Sequence, residues 1–233
     1  MSGWPAIDVV IPALNEADAL PRVLGEIPAR VREIVVVDNG STDRTAAVAR
    51  EGGATVVHEP RRGYGQACLT GIGELRRRSP PPEIVVFLDA DYSDHPGELV
   101  SIVQPIVEGR ADFVVGSRVL GRREPGALLP QARFGNWLAG TLIRWLYGIR
   151  VSDLGPFRAI RWPALLALEM CDRDFGWTAE MQVKAARRGL AYHEVAASYR
   201  KRIGVSKITG TVGGTLRAGW KILAMIFIHA GSR

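Results

Sequence analysis

Cysteine is scarce in this chain, and so are long apolar segments. The two cysteines, Cys68 and Cys171, lie far apart without the paired spacing of a zinc site, which argues against a disulfide framework or a cysteine-bound metal. The longest late apolar run, Ile222–Ile228, is far shorter than the ~20 residues of a membrane-spanning helix. Met1–Asp8 lacks the basic and apolar regions of a signal peptide. We therefore expect a cytoplasmic protein that does not span a membrane but can lie on its cytoplasmic face.

Acidic residues are outnumbered, which gives the chain a formal net charge of +6. Basic residues are locally dense at Arg76–Arg78, Arg122–Arg123, Arg187–Arg188 and Arg200–Arg202. Such clusters favour an anionic partner: a nucleotide, a lipid phosphate, a membrane surface or a nucleic acid. The aromatic residues lie in apolar helical patterns and are not interleaved with arginines, so we expect no nucleic-acid partner.

Strand and helix patterns alternate through the first half of the chain. Apolar runs typical of strands cover Ile7–Ile11, Glu33–Val37, Ala54–Val57, Ile84–Leu88 and Asp112–Val115, with helical patterns between them. This alternation predicts an α/β fold with a mostly parallel sheet and helices on both faces. The second half is less regular, with a helix predicted over Phe134–Tyr147, an added strand near Pro156–Ile160, a helix over Trp177–Arg188, a strand over Tyr192–Tyr199 and a final helix over Ile208–His229.

Two carboxylates end the most apolar strand. Asp89 and Asp91 follow Ile84–Leu88, at the edge of a parallel sheet where ligands bind. Residues i and i+2 of a strand share a face, so both carboxylates can point at one ion. Their hard oxygens suit Mg²⁺ or Mn²⁺. Asp-Ala-Asp could instead be a turn that caps the next helix.

Four strand-end motifs occur in a fixed order along the chain. They are Val10–Glu16 (VIPALNE), Val36–Asp43 (VVDNGSTD), Leu88–Asp91 (LDAD) and Gly116–Arg118 (GSR). In this order they resemble the family 2 glycosyltransferases of the GT-A (Rossmann-like) fold, and most closely the dolichol- or polyprenol-phosphate mannosyl- and glucosyltransferases. Later markers are Asp153–Ala159, Trp177–Glu180 and Arg200–Lys207, so the resemblance covers nearly the whole chain.

The resemblance implies one GT-A domain over residues 1–233. Residues 1–118 would bind the nucleotide sugar, residues 119–207 would form an irregular acceptor-side half with a basic lid, and residues 208–233 would form a C-terminal helix. The donor-binding residues that it implies are Pro12, Ala13, Glu16, Asp38, Gly63, Gly65, Asp89, Ala90, Asp91, Arg200, Arg202 and Lys207. For Asp38, Gly63 and Gly65, shaping a turn is an alternative role, and the basic run could be a solvated charge cluster.

The resemblance also implies a metal, an acceptor site and catalytic groups. Asp89 and Asp91 would hold Mg²⁺ or Mn²⁺, although Ser93 stands where many relatives carry Gln, which puts a third metal contact in doubt. The implied acceptor-binding residues are Arg118, Arg122, Arg123, Asp153 and Trp177, and the implied catalytic residues are Asp89, Asp91, Arg118 and Glu180. Arg118 could instead pair with a carboxylate of the sheet, and Trp177 could belong to the core.

The implied reaction transfers a hexose with inversion from GDP-mannose or UDP-glucose to a polyprenyl or dolichyl phosphate. A soluble family 2 enzyme that uses a hydroxyl acceptor is the alternative, and it would need Glu180 or Asp153 as a base. The apolar residues of the first late helix recur close to helical spacing: Phe134, Trp137, Leu138, Leu142, Trp145 and Leu146. They predict either a core face or a helix that lies on a membrane surface.

Overall fold

The computed structural model describes residues 4–204 and 212–228. Its centre is a seven-stranded sheet with the strand order β3-β2-β1-β4-β6-β5-β7. The strands are β1 (Ile7–Ala13), β2 (Glu33–Asp38), β3 (Thr55–His58), β4 (Ile84–Phe87), β5 (Phe113–Ser117), β6 (Arg158–Arg161) and β7 (Tyr192–Ala196). All neighbouring strands pair in parallel except β6, which is antiparallel to both β4 and β5. The predicted α/β fold with a mostly parallel sheet is confirmed.

Helices cover both faces of the sheet. They are α1 (Leu20–Glu26), α2 (Thr45–Glu51), α3 (Tyr64–Leu75), α4 (Leu99–Val107), α5 (Pro130–Tyr147), α6 (Trp162–Leu168), α7 (Trp177–Arg187) and α8 (Val212–Ile228), with a short 3-10 helix at Pro96–Glu98. Among the described residues, none of these helices combines the length and apolar character needed to cross a membrane.

The apolar strands fold as they do because their side chains alternate between two cores. In β4, Ile84 and Val86 pack with α1 and α4, whereas Val85 and Phe87 pack with α3 and α7. All four residues of this strand are buried, which explains why its sequence is continuously apolar. A third, smaller core joins α5, α7 and α8 around Ile143 and Ile226.

Some local details add to what the sequence pattern predicts. The helix between β1 and β2 begins at Leu20, and Pro21 lies in its first turn, where proline is tolerated. Asn15 Oδ1 accepts a hydrogen bond from the Thr42 N–H at 2.8 Å and so joins the loops after β1 and β2. The helix α6 at Trp162–Leu168 follows β6 directly and was missed by the sequence analysis.

The sheet topology brings several strand ends to one edge. Ala13, the last residue of β1, pairs with Asp38, the last residue of β2. β4 lies on the other side of β1 and runs parallel to it, so Asp89 and Asp91 follow at the same edge. The carboxyl ends of β1, β2 and β4 therefore meet around one cleft.

Candidate functional site

A cavity of about 380 Å³ opens at these strand ends. It is lined by Pro12, Ala13, Leu14, Glu16, Asn39, Arg62, Gly63, Tyr64, Ala67, Asp89, Ala90, Asp91, Asp174, Phe175 and Arg202. The structure thus brings together most of the predicted donor-binding residues, although they come from separate parts of the chain. Asn39, Tyr64, Asp174 and Phe175 also line the cavity and were not predicted.

Asp89 and Asp91 lie together in this cavity, and their environments differ. Asp89 Oδ1 is buried and accepts no hydrogen bond. Burial, followed by the charge of Asp91, raises the pKa of Asp89 to about 7. Asp91 is 4% exposed, and its Oδ1 accepts a hydrogen bond from the Ser93 N–H at 2.9 Å. Its Oδ2 pairs with the Arg202 guanidinium.

Asp89 and Asp91 fit a Mg²⁺ or Mn²⁺ ion whose remaining coordination positions are filled by a substrate and by water. An unpaired buried carboxylate oxygen at Asp89 is a donor that a hard cation would satisfy. Over residues 4–204 and 212–228, no group of three or more His, Cys, Asp or Glu side chains is arranged to hold a metal. Two carboxylates and a substrate phosphate are a common arrangement for Mg²⁺, which keeps several waters.

A third carboxylate lies nearby and was not predicted. Asp94 is 1% exposed, and neither of its carboxylate oxygens has a hydrogen-bond partner. Burial, reinforced by the charge of Asp89, raises the pKa of Asp94 well above its usual range. Asp94 therefore adds to the site a buried carboxyl group whose two oxygens have no hydrogen-bond partner.

The basic segment after β7 divides into residues with different partners. Arg202 lines the cavity, and its predicted contact with the donor stays a prediction. Arg200 does not: its guanidinium pairs with Glu26 at 2.7 Å and lies 3.3 Å from the centre of the Tyr92 ring. This geometry contradicts the predicted donor contact of Arg200, which instead fastens the segment to α1. Lys207 lies outside the described residues.

Asp38 shapes a turn beside the cavity, whereas the neighbouring Asn39 lines the cavity itself. Asp38 is not part of the cavity lining; its carboxylate accepts a hydrogen bond from the Ser41 N–H at 3.0 Å and faces His58 Nδ1 at 3.2 Å. These contacts organise the turn, which is the alternative that the Asp-Asn-Gly sequence left open. Asn39 lines the cavity, and its Oδ1 accepts a hydrogen bond from the Gly63 N–H at 2.9 Å.

Gly63 and Gly65 make room for another part of the chain. A Cβ on Gly63 would lie 2.1 Å from the carbonyl oxygen of Arg173, and a Cβ on Gly65 would lie 2.1 Å from that of Asp172. The close approach is therefore made by residues 171–176, which we call the wall loop because its Asp174 and Phe175 line the cavity. Gly63 also borders the cavity itself, whereas Gly65 does not.

Glu180 holds the wall loop and does not face the cleft. It is fully buried, and its two carboxylate oxygens accept hydrogen bonds from the N–H groups of Cys171 at 2.9 Å and Asp172 at 2.8 Å. Lys184 forms an ion pair with it at 2.6 Å. The predicted role of Glu180 as a base is contradicted by this geometry, because both oxygens are in use and neither reaches the cavity.

Trp177 is a core residue. Its side chain is fully buried, and its ring meets that of Phe87 edge to face with 5.9 Å between ring centres. The predicted contact of Trp177 with the acceptor is therefore wrong, and the core alternative holds.

Arg118 and Asp153 form a buried ion pair. Nε and Nη2 of Arg118 donate to the two oxygens of Asp153, each at 2.7 Å. Asn136 Nδ2 adds a hydrogen bond to Asp153 at 2.6 Å. The guanidinium of Arg118 therefore binds a carboxylate of the protein, which is the role that the sequence analysis gave as the alternative to an acceptor contact. The Asp153 carboxylate is therefore committed to this ion pair, which argues against a role for it as a base.

A second, larger groove of about 870 Å³ lies along α5. It is lined by Val119, Arg123, Pro130, Arg133, Phe134, Trp137, Gly140, Thr141, Arg144, Arg150, Val151, Ser152 and Glu194. Besides Arg118, two acceptor arginines were predicted: Arg123 lines the groove, whereas Arg122 is exposed outside it. Glu194 is the acidic residue of this lining, and its Oε1 accepts hydrogen bonds from the Ser152 N–H and the Tyr192 hydroxyl.

The aromatic residues of α5 do not form a core face. Phe134, Trp137 and Trp145 are 61%, 62% and 79% exposed, whereas the buried side of the helix consists of Asn136, Ala139, Gly140 and Ile143. Of the six residues in the predicted pattern, Leu142 and Leu146 pack against the core shared with α7 and α8, as expected for a core face. The exposed aromatic residues leave the membrane-surface alternative as a prediction.

Comparison with known proteins gives consistent family matches. Residues 8–165 match the model of Glycosyl transferase family 2. An uncharacterized glycosyltransferase of Mycobacterium tuberculosis is 40% identical over 225 residues, which are 94% of this chain and 98% of that protein. A dolichyl-phosphate hexose transferase of Haloferax volcanii is 32% identical over 210 residues, which are 88% of each chain.

Among solved structures, a glucosyl-3-phosphoglycerate synthase from M. tuberculosis has a similar fold. That structure contains Mn²⁺, uridine diphosphate and phosphoglyceric acid. It has a TM-score of 0.74 and 23% sequence identity, over 97% of this chain and 79% of that one. At this identity the likeness shows a shared fold.

Proposed function

Because the chain belongs to glycosyl transferase family 2 and is a glycosyltransferase, we propose that it transfers a hexose to a polyprenyl phosphate. The donor in this proposal is a nucleotide sugar, GDP-mannose or UDP-glucose, and the anomeric carbon is inverted. The proposal keeps the predicted division into a donor half, residues 1–118, and an acceptor half, residues 119–207, with Asp174, Phe175 and Arg202 of the second half reaching the donor cavity. The similarity to a dolichyl-phosphate hexose transferase supports this acceptor.

The donor would occupy the cavity at the strand ends. Pro12, Ala13 and Glu16 would border the nucleoside, and Arg202 would bind the diphosphate, since a planar guanidinium suits phosphate oxygens. Asp89 and Asp91 would hold Mg²⁺ or Mn²⁺, which as a Lewis acid would stabilise the departing diphosphate. The contact between Asp38 and the nucleobase stays a prediction. In this structure the Asp38 carboxylate accepts a hydrogen bond from the Ser41 N–H and faces His58.

One observation carries the choice of acceptor: four arginines line the α5 groove, and two of the carboxylates near it are already paired. Arg123, Arg133, Arg144 and Arg150 line the α5 groove. Among the carboxylates described near it, Asp153 and Glu180 are buried and paired, and Glu194 accepts two hydrogen bonds. A hydroxyl acceptor needs its proton removed, whereas a phosphate monoester with a second pKa near ~6 is already an anion at pH 7.

The proposed chemistry is a single displacement. An oxygen of the acceptor phosphate forms a bond to the anomeric carbon of the hexose while the bond from that carbon to the nucleoside diphosphate breaks. The electron pair leaves with the diphosphate, where Arg202 can stabilise the added charge. Arginines of the α5 groove would hold the acceptor phosphate in line with the donor.

The proposed acceptor also gives the exposed aromatic residues a partner. Trp137 and Trp145 on α5 and Trp220 and Phe227 on α8 are exposed, and α5 and α8 pack against each other. Aromatic residues beside arginines are typical of surfaces that lie in the headgroup region of a membrane. We propose that this surface rests on a membrane and receives the lipid acceptor from it.

The test is the release of UDP or GDP from a panel of UDP- and GDP-sugars, with Mn²⁺ or Mg²⁺, with and without a short polyprenyl phosphate. We expect turnover with one donor, only when both the metal and the lipid phosphate are present. Donor binding without lipid-dependent turnover would overturn the proposed acceptor. Turnover with a sugar hydroxyl as acceptor would point to the soluble alternative.

A further inference from the structure

The wall loop is held by three other elements. At the start of α3, the Gly65 N–H donates to the carbonyl oxygen of Asp174 at 3.3 Å, and the Gln66 N–H donates to that of Arg173 at 2.9 Å. From α7, Glu180 accepts the N–H groups of Cys171 and Asp172. The third element is the C-terminal helix α8, and it makes its contact through one lysine.

Lys221 of α8 pairs with two carboxylates of the wall loop. Its Nζ lies 3.2 Å from Asp172 Oδ2 and 3.6 Å from Asp174 Oδ2. The side chain of Asp172 is 4% exposed, and its Oδ1 also accepts the N–H groups of Asp174 and Gly176 at 2.7 and 3.1 Å. Asp172 thus sets the shape of the loop, and the Lys221 charge compensates its buried carboxylate.

The helix α8 has its own fixed position in the fold. Ile226 is fully buried in the core shared by α5, α7 and α8, and its carbonyl oxygen accepts a hydrogen bond from the Tyr147 hydroxyl. Since α8 is anchored at Ile226 and reaches the wall loop at Lys221, it can fix where Asp174 and Phe175 stand in the cavity.

We propose that Lys221 is a positioning residue of the donor site, which holds the wall loop so that Asp174 and Phe175 complete the cavity for the nucleotide. This inference rests on the proposed function, because it takes the cavity as the site of the nucleotide sugar. It adds a residue from the C-terminal helix that does not itself line the cavity.

The test compares Lys221→Met with the conservative Lys221→Arg and with Arg77→Met. Arg77 is 74% exposed and pairs with Glu74 at 2.9 Å near the end of α3, so its replacement removes one cation from an ion pair elsewhere on the surface. The three variants separate a local effect on the wall loop from a general effect of lowered positive charge.

The first measurement is the rate at which N-ethylmaleimide modifies Cys171. This thiol is exposed and lies in the wall loop, and its Sγ is 3.0 Å from Glu180 Oε1, whereas Cys68 is buried and serves as an internal reference. We expect Lys221→Met to raise the rate roughly three- to tenfold, as for the loss of a partly buried ion pair. Lys221→Arg and Arg77→Met should react like the wild type.

The second measurement is calorimetric binding of UDP and GDP with Mn²⁺. For Lys221→Met we expect the Kd of the preferred nucleotide to rise roughly three- to tenfold, in step with the modification rate, with restoration by arginine. With the donor sugar and acceptor, KM of the donor should rise by the same factor while kcat stays unchanged.

The outcomes are distinct. A higher Cys171 rate with unchanged nucleotide affinity would show that Lys221 holds the loop but has no effect on the donor site, and would overturn the proposal. Unchanged rate and unchanged affinity would overturn it as well. Wild-type protein that binds neither UDP nor GDP would refute the proposed function, and with it the role of Lys221, before any substitution is compared.

Discussion

Replacing Arg118 by leucine tests whether this arginine supports the fold or acts on the acceptor. The side chain of Asp153 is completely buried, and Arg118 supplies two of its charged hydrogen bonds, both 2.7 Å long. In Arg118→Leu, Asp153 would keep the Asn136 amide and the backbone N–H of residue 118. Removing one partner of a buried ion pair costs about 3–5 kcal/mol, and the two remaining donors favour the lower end, about 3 kcal/mol.

The assay is urea unfolding followed by circular dichroism, with the slope of the free energy against urea checked for each variant. Combining Arg118→Leu with Asp153→Asn removes the uncompensated charge, so the double variant should recover about 1–2 kcal/mol relative to the sum of the single effects. A loss of stability below about 1 kcal/mol in Arg118→Leu, together with a large fall in turnover, would refute this reasoning and return Arg118 to the acceptor site.

Three further predictions concern the metal site, pH and the membrane surface. Asp91→Asn should weaken Mn²⁺-dependent binding of UDP or GDP at least ~tenfold, as measured by calorimetry, while circular dichroism shows an intact fold. Equal affinity in wild type and variant would contradict the proposed metal site. Hydrogen bonds from Arg61, which outweigh the effect of burial, lower the pKa of Glu59 to about 2. The ionised Glu59 therefore stabilises the fold by about 2 kcal/mol, after allowance for the exposed Arg61. This stabilisation is present above the ordinary pKa of 4.5 and is lost as the pH falls toward 2. Urea unfolding should therefore show Glu59→Gln less stable than wild type at pH 6, with a difference that shrinks by pH 3; a constant difference would be evidence against the shifted pKa. Trp137→Ala should reduce partition onto vesicles with anionic lipid roughly five- to thirtyfold without changing stability, and unchanged partition would remove this residue from the proposed surface.

The strand-end cavity, where we propose that the donor binds, was predictable because its position depends on topology more than on packing. The carboxyl ends of neighbouring parallel strands meet at one edge whatever the details of the core. The observed pairing of Ala13 with Asp38, and of β1 with β4, follows from that rule. Residues that simply continue the strands therefore reach the cavity, including Pro12, Asp89 and Asp91.

The acceptor side was less predictable because the role of a charged or aromatic residue there depends on its partner. Glu180 and Arg118 have the residue types that catalysis needs, but each has a partner within the protein: the wall loop for Glu180 and Asp153 for Arg118. The Glu180–Lys184 spacing of four residues was a local signal of pairing within a helix. Asp174 and Phe175 lie in a loop without a motif, so their place in the cavity follows only from the fold.

The distribution of charge differs between the strand-end cavity and the α5 groove, and it fits the two proposed roles. On the donor side, Asp89 and Asp91 place acidic oxygens where a cation and a diphosphate can meet, with Arg202 beside them. On the acceptor side, the carboxylates of Asp153 and Glu180 are enclosed by their own cations, and the open groove presents arginines. An acceptor that arrives as an anion needs cations to bind it and no base to activate it. A neutral hydroxyl would gain little from these cations, and it would still need a base to take its proton, a role for which the paired Asp153 and Glu180 are unsuited.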